Sequence, residues 1–175
     1  MRYVILFRGI NVGGNNTVSM KELKKHFEQA GFTHVITYIN SGNVILESND
    51  SKDNIKTSIE NLVQKEFNVQ SDTLVLEDHE FKRIEQSIPF HFENNSTFVG
   101  NVLFYYEDLD LSLVDAIKFK PEYEEVVKLD CALIHGIRRV NHSKSQLLRL
   151  IGTNLYKKVT IRNVNTVRKL SSMLT

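Results

Sequence analysis

Residues 35–47, Val-Ile-Thr-Tyr-Ile-Asn-Ser-Gly-Asn-Val-Ile-Leu-Glu, decide the fold that we predict for this chain. Two runs of strand-forming residues flank residues 40–42, Asn-Ser-Gly, which tolerate positive φ, so the stretch predicts a β-hairpin. Before it we expect an apolar strand and a helix that begins after Ser19, in a capping box with Glu22. A second amphipathic helix and another strand follow. The first half is therefore predicted to run β-α-β-β-α-β.

The same order of elements is expected in the second half, although its residues do not repeat those of the first. One of its helices is predicted over residues 143–155, before the last strand. A unit of this kind buries one face of its sheet under two helices. We therefore predict an α+β fold of two tandem ferredoxin-like halves, residues 1–90 and 98–175, each with a trailing helix.

The composition restricts the class of protein. The 175 residues are 41% hydrophobic and 25% charged, as in an ordinary soluble globular protein. No stretch approaches the ~20 apolar residues that a membrane helix needs, so no membrane partner is expected. The apolar run at residues 3–7 is too short for a signal peptide, and the single Cys131 cannot form an internal disulfide. We therefore expect a cytoplasmic protein.

The charges are unevenly distributed along the chain. Residues 1–46 carry five basic and two acidic side chains, and residues 47–135 carry eight and nineteen. Residues 136–175 carry nine basic side chains and no acidic one. This asymmetry suggests an anionic partner for the basic end. Alternatively, the basic end packs beside the acidic middle of the same chain or of a second copy.

A glycine- and asparagine-rich loop at residues 8–16 follows the first strand and precedes the first helix. Backbone amides in such a loop can turn toward an anion, which favours phosphate binding. Gly9 and Gly14 have the spacing of a P-loop, but Asn15 and Asn16 stand where that motif needs lysine and a hydroxyl, so nucleotide hydrolysis is not expected. The alternative is a wide turn without a ligand.

A polar corner is predicted where the last strand meets the last helix. Asn163 is placed to cap this helix, and Arg162, Asn165 and Thr166 bring further polar groups to its amino end. The corner could hold an anion. Alternatively, these groups are satisfied by the backbone of the protein.

No metal, cofactor or catalytic pair is predicted. The six histidines lack the close spacings of a zinc site. Cys131 and His135 would share one face of a strand about 13 Å apart, too far for a nucleophile and its base. Cys131 is therefore expected to be a small buried thiol. Carboxylates such as Glu124 and Glu125 are expected on a solvated surface.

Three motifs resemble those of the bacterial family catalogued as domain of unknown function 1697. They are Phe-Arg-Gly-Ile-Asn-Val-Gly-Gly at 7–14, Tyr-Ile-Asn-Ser-Gly-Asn-Val at 38–44 and Thr-Ile-Arg-Asn-Val-Asn-Thr-Val at 160–167. Ser143 and Lys144 are similar to the serine-lysine step of that family. The resemblance covers essentially the whole chain and implies a tandem ferredoxin-like fold. The family is uncharacterised, so the resemblance implies no reaction.

The leading functional prediction is non-catalytic binding of an anionic ligand, either a phosphate-containing small molecule or nucleic acid. The loop, the hairpin and the corner are expected to converge on one site. The alternatives are an enzyme that acts on a phosphorylated or carboxylated small molecule in an interdomain groove, and a structural protein that forms homo-oligomers. The predicted ligand-binding residues are Arg8, Gly9, Asn11, Gly13, Gly14, Asn40, Ser41, Asn43, Lys144, Arg162, Asn163 and Asn165.

Overall fold

The computed structural model describes residues 1–12, 14 and 16–174. The chain divides into two compact units. The first unit contains Met1–Lys82 together with the C-terminal residues from Leu170 onward, and the second contains Arg83–Lys169. Each unit holds a four-stranded antiparallel sheet. The protein therefore has the mixed α+β fold that the sequence predicts.

The first unit contains every element predicted between residues 3 and 77. Its sheet has the strand order β2-β3-β1-β4. The elements, in chain order, are β1 (Arg2–Phe7), α1 (Met20–Gln29), β2 (Thr33–Tyr38), β3 (Asn43–Glu47), α2 (Lys52–Phe67), β4 (Thr73–Glu77) and α3 (Asp78–Gln86), the last of which runs on into the second unit.

One face of the first sheet carries the core of the first unit. Successive strand residues point to opposite faces, so Tyr3, Ile5 and Phe7 all reach the same side. Helix α1 covers this side with Leu23 and Phe27. Helix α2 adds three buried aliphatic side chains at helical spacing, Ile55, Ile59 and Val63. The two helices and the sheet thus form the two-layer core expected of this element order.

The second unit repeats the strand order, as β6-β7-β5-β8, but not the helices. Its elements are β5 (Phe98–Tyr105), α4 (Leu111–Asp115), β6 (Glu124–Lys128), β7 (Ala132–Arg138), two 3₁₀ segments (Arg139–Lys144 and Gln146–Leu150), α5 (Asn154–Lys157), β8 (Val159–Asn163) and α6 (Val164–Ser172), whose last residues belong to the first unit.

The predicted continuous helix over residues 143–155 is wrong. The backbone is extended at Ser145, Ile151 has a non-helical ψ of 124°, and Gly152 has a φ of 86°. The backbone N–H of Gln146 donates to the buried carboxylate of Glu124 at 2.8 Å. The chain forms two 3₁₀ segments and the four-residue α5 instead of a long helix, and this tertiary contact engages a backbone donor at the start of the second 3₁₀ segment.

Among the residues that the structure describes, no helix is both long and apolar enough to span a membrane. Within the same residues, no three side chains of the His, Cys, Asp and Glu types are grouped as a metal site would require.

Candidate functional site

Asn11 brings two of the three predicted regions together in the first unit. Its Nδ2 donates to the carbonyl of Val18 at 2.8 Å and to that of Asn40 at 2.9 Å. Its Oδ1 accepts from the backbone N–H of Val18 at 2.7 Å. The side chain thus joins the loop to the start of α1 and to the β2–β3 hairpin. These contacts give Asn11 a structural role.

The hairpin turn packs closely on the loop. Gly42 accepts a hydrogen bond from the backbone N–H of Phe7 at 2.9 Å, and its φ is 73°. A Cβ at this position would lie 2.8 Å from side-chain carbons of both Phe7 and Ile10. Only glycine therefore fits here without displacing the apolar side chains beneath it.

The other polar residues of the hairpin differ in exposure. Asn43 is fully buried, and its Nδ2 donates to the carbonyl of Tyr38 at 3.2 Å and to Ser41 Oγ at 3.0 Å. Asn40 and Ser41 are exposed. Asn43 therefore organises the turn from inside, whereas Asn40 and Ser41 are polar residues of the turn that reach solvent.

The start of the loop is held by the segment that precedes β4. Ser71 Oγ donates to the carbonyl of Arg8 at 2.7 Å, and Arg8 Nη1 lies 3.9 Å from a carboxylate oxygen of Asp72. Gly9 and Gly14 are exposed and have positive φ. Gly13, another predicted ligand-binding residue, lies outside the described residues.

The Arg162 corner lies in the second unit and is largely internal. Arg162 is only 8% exposed, and its Nη1 donates to Thr160 Oγ1 at 3.0 Å and to the carbonyl of Ile161 at 2.9 Å. Burial lowers the pKa of Arg162 to about 10, although Tyr106 acts in the opposite direction.

The asparagines of the corner stabilise local structure. Asn163 Oδ1 accepts from the backbone N–H of Thr166 at 2.9 Å, which confirms the predicted helix cap. Asn165 Nδ2 donates to the carbonyl of Asn94 at 3.0 Å.

Lys144, another predicted ligand-binding residue, is exposed, with its Nζ 4.3 Å from the centre of the Tyr123 ring. The convergence of the loop, the hairpin and the corner on one site stays a prediction.

The second unit also contains a buried polar cluster that the sequence analysis missed, formed by Glu124, His135, Ser145 and Gln146. Glu124 Oε1 accepts from His135 Nε2 at 2.9 Å, from Ser145 Oγ at 3.2 Å and from the backbone N–H of Gln146. Its Oε2 accepts from the backbone N–H of Lys120 at 2.9 Å. The expectation that Glu124 is solvated is wrong, because its side chain is fully buried.

One signal in the sequence could have revealed the cluster. His135 lies among apolar residues of β7, where Leu133 and Ile137 point to the same side of the sheet. A titratable residue at such an inward position needs a buried partner. The sequence did not identify the partner, because Glu124 is followed by Glu125, which is exposed, and two adjacent carboxylates are typical of a solvated surface.

Two ionisable groups of the cluster have shifted pKa values. Burial opposes ionisation of Glu124, but hydrogen bonds from the backbone of Lys120 and Gln146 and from His135 outweigh it, so its pKa is lowered. Burial lowers the pKa of His135, and Glu124 offsets this only in part. Near neutral pH the pair is therefore a carboxylate and a neutral imidazole whose Nε2 carries the proton.

Two cavities lie beside this cluster within the second unit. The smaller cavity, of about 150 Å³, lies between the sheet and the 3₁₀ segments, and His135 and Ser145 are among its lining residues. The larger cavity, of about 560 Å³, is an open groove between α4 and the segment that contains Gln146 and α5, and most of its lining residues are exposed. Lys118 and Arg149 line the larger cavity.

Cys131 is half-buried, so the expectation of a buried thiol is wrong. Its Sγ lies 3.8 Å from Arg83 Nη2. It is the last residue before β7, where the chain is less covered than in the middle of the strand.

The fold and the cluster define a mixed α+β protein with two four-stranded antiparallel sheets and a buried carboxylate–histidine pair. The chain belongs to the family described as protein of unknown function DUF1697, whose model matches residues 1–134. The expected family is thereby confirmed over residues 1–134, which contain the first two of the three motifs. The fold is similar to that of the conserved bacterial protein SP0830 from Streptococcus pneumoniae, with a TM-score of 0.85 and 29% identity over 99% of this chain and 98% of that chain. No curated protein matches the sequence.

Proposed function

We propose that the protein binds an anionic small molecule in the larger cavity of the second unit, without catalysis. The main support for this proposal is the positive charge of the residues that line the larger cavity. Lys118 and Arg149 line the cavity, and none of the described residues that line it is acidic. The volume of about 560 Å³ is in the range of small-molecule sites. The basic C-terminal region predicted to bind anions supplies Arg149.

The remaining lining residues indicate the rest of the ligand. Leu113, Ile117 and Leu155 offer apolar surface, and Thr153 and Asn154 offer neutral polar groups. Gln146 also lines the cavity, and its buried Nε2 has no acceptor among the described residues. A phosphate or carboxylate on an apolar body suits such a lining, because the cations bind the charge while the body packs on the apolar residues of the groove.

The predicted loop and hairpin residues have weaker support as parts of this site. Asn11 and Asn43 donate to carbonyl oxygens of their own unit, and Arg8 lies near Asp72. Nucleic acid remains the alternative ligand, for which the exposed cations of residues 136–175 are the supporting feature.

We also propose that the chain consists of two tandem ferredoxin-like halves with the predicted bounds 1–90 and 98–175, each containing one of the two sheets, although these bounds differ from those of the two compact units. The supporting feature is the strand order, which is the same in both sheets when each is numbered from its own first strand. The cytoplasmic location and the self-association of the chain stay predictions.

Binding can be tested with three anions that differ in charge and in apolar body, namely inorganic phosphate, benzoate and phenyl phosphate. We expect phenyl phosphate to bind best, since it combines a doubly charged head with a ring. At 100 times its dissociation constant it should add about 2.7 kcal/mol to the free energy of unfolding, measured by denaturant titration.

Matched variants locate the site. Arg149→Gln and Lys118→Gln should each weaken phenyl phosphate binding about tenfold in calorimetry, because each removes one charge-assisted hydrogen bond. Lys157→Gln is the control, since this exposed cation of the same unit does not line the cavity. If none of the three anions binds, the proposal is wrong. Binding of mixed-sequence DNA that falls steeply with salt and ignores the cavity variants would favour nucleic acid instead.

A further inference from the structure

The smaller cavity exists because the two units cover their sheets differently. In the first unit the 16 residues of α2 pack on the sheet. At the same place in the order of elements, the second unit has two 3₁₀ segments and α5. These short segments, joined by extended residues, leave a space of about 150 Å³ above β5, β7 and β8.

The lining of this smaller cavity is mostly apolar, with a few polar groups. Six of the lining residues are aliphatic, and they include Val99, Ile137 and Ile161 from the three strands. The polar lining residues are Asn101, His135, His142, Ser145 and Tyr156, and no acidic residue is among the described residues that line it. Such a lining favours an uncharged molecule, because a charged one would lose its hydration without gaining an opposite charge.

His135 contributes an unused hydrogen-bond acceptor. Its Nε2 donates to Glu124, so its Nδ1 carries a lone pair. The side chain is 1% exposed, and Nδ1 has no hydrogen-bond partner among the described residues. A buried polar atom without a partner is costly, and native structures normally satisfy it with protein, water or ligand.

We propose that the smaller cavity binds a small uncharged molecule that has an apolar ring and one O–H or N–H group, which donates to His135 Nδ1. The size agrees with this class, since an apolar protein cavity of about 150 Å³ binds benzene. Glu124 acts as a positioning residue, because it holds the proton on Nε2 and keeps Nδ1 available. The site differs from the anion site in position and in the charge of its ligand, and it does not depend on the anion proposal.

The test compares phenol with toluene, which has nearly the same shape but carries a methyl group in place of the hydroxyl. Titrations by calorimetry or ligand-detected NMR should give a ratio of phenol affinity to toluene affinity about tenfold above the ratio that their different hydrophobicities alone predict, since only phenol can donate to Nδ1. In His135→Leu this preference should disappear. In His91→Leu, which removes an exposed histidine of the same unit, it should persist.

A second measurement does not depend on a variant that folds. With ¹⁵N-labelled histidine in the unmodified protein, the His135 resonances should identify the tautomer protonated at Nε2. The Nδ1 resonance should then shift when phenol is added and stay in place when toluene is added.

Three outcomes would overturn the proposal: no binding of phenol, the same ratio of phenol to toluene affinity in the unmodified protein and in His135→Leu, or an Nδ1 resonance that does not respond to phenol. The first would mean that the cavity holds only water. Arg149→Gln should leave phenol binding unchanged, and His135→Leu should leave phenyl phosphate binding unchanged. Failure at one cavity is therefore distinguishable from failure at the other.

Discussion

Single side chains hold the loop and the hairpin of the first unit in place, and two of them were predicted to bind a ligand. The amide of Asn11 is engaged with the backbone of Val18 and Asn40, and the amide of Asn43 with its own turn. In the sequence, an asparagine beside glycines is compatible with both roles, because the same donors serve a ligand or a carbonyl oxygen. Only the contacts distinguish them.

Gly42 provides a test of how tightly the hairpin packs on the loop. Gly42→Ala should lower the free energy of unfolding by about 2–4 kcal/mol, because the residue keeps a positive φ and its new methyl overlaps Ile10 and Phe7. The measurement is denaturant unfolding.

Gly9→Ala is the matched control for this substitution. Gly9 has nearly the same φ, 76° against 73°, but nothing lies within 4 Å of its added Cβ. It should therefore show only the backbone cost, about 1–2 kcal/mol. Equal losses in Gly42→Ala and Gly9→Ala would show that packing against Ile10 does not contribute.

At the scale of the element, the predictions from the sequence were most accurate where the interacting residues lie close together along the chain. Ser19 Oγ accepts from the backbone N–H of Glu22 at 3.3 Å, as the capping box indicates, and α1 follows. Asn163 likewise caps α6. Each cap acts over three residues, so the sequence contains both partners. The 3₁₀ segments could not be predicted in this way. The backbone N–H of Gln146 donates to Glu124, and these two residues are 22 positions apart in the sequence.

The cap of α6 can be tested directly. Asn163→Ala should lower the free energy of unfolding by about 0.5–2 kcal/mol, since the N–H of Thr166 loses its acceptor. Asn163→Asp should cost much less, because a carboxylate is an equally good acceptor at a helix amino end. Thermal and denaturant unfolding of both variants gives the comparison. A loss in Asn163→Asp as large as that in Asn163→Ala would contradict the capping role.

At the scale of the whole molecule, the Glu124–His135 pair makes stability depend on pH. Burial lowers the pKa of His135 in the folded state, so below the ordinary histidine pKa of about 6.5 the unfolded chain binds a proton that the folded chain does not. His142, the other histidine of the smaller cavity, also acts to lower this pKa. The contribution of His135 is complete above about pH 6.5 and is lost as the pH falls through that value. Glu124, whose folded-state pKa is also lowered, adds a loss of the same sign in more acidic solution.

We therefore expect the free energy of unfolding to fall between pH 7 and pH 5, with His135 contributing at most about 1.4 kcal/mol per pH unit. His135→Gln keeps a donor for Glu124 but does not titrate, so its slope in this range should be smaller than that of the unmodified protein. The free energy is obtained from urea unfolding at a series of pH values. Identical slopes for the two proteins would contradict a lowered pKa for His135.

The amino-acid sequence by itself determined the order of the strands along the chain, the helices of the first half, the caps of α1 and α6, and the family. These features depend on hydrophobic periodicity and on partners a few residues apart. Only the tertiary structure decided which polar groups are buried and which donors are already engaged. Hydrogen-bond partners such as Glu124 and His135 lie on different strands, and their burial depends on the whole sheet. The cavities beside them could not be predicted from the sequence either, because they are spaces left between segments that lie far apart along the chain.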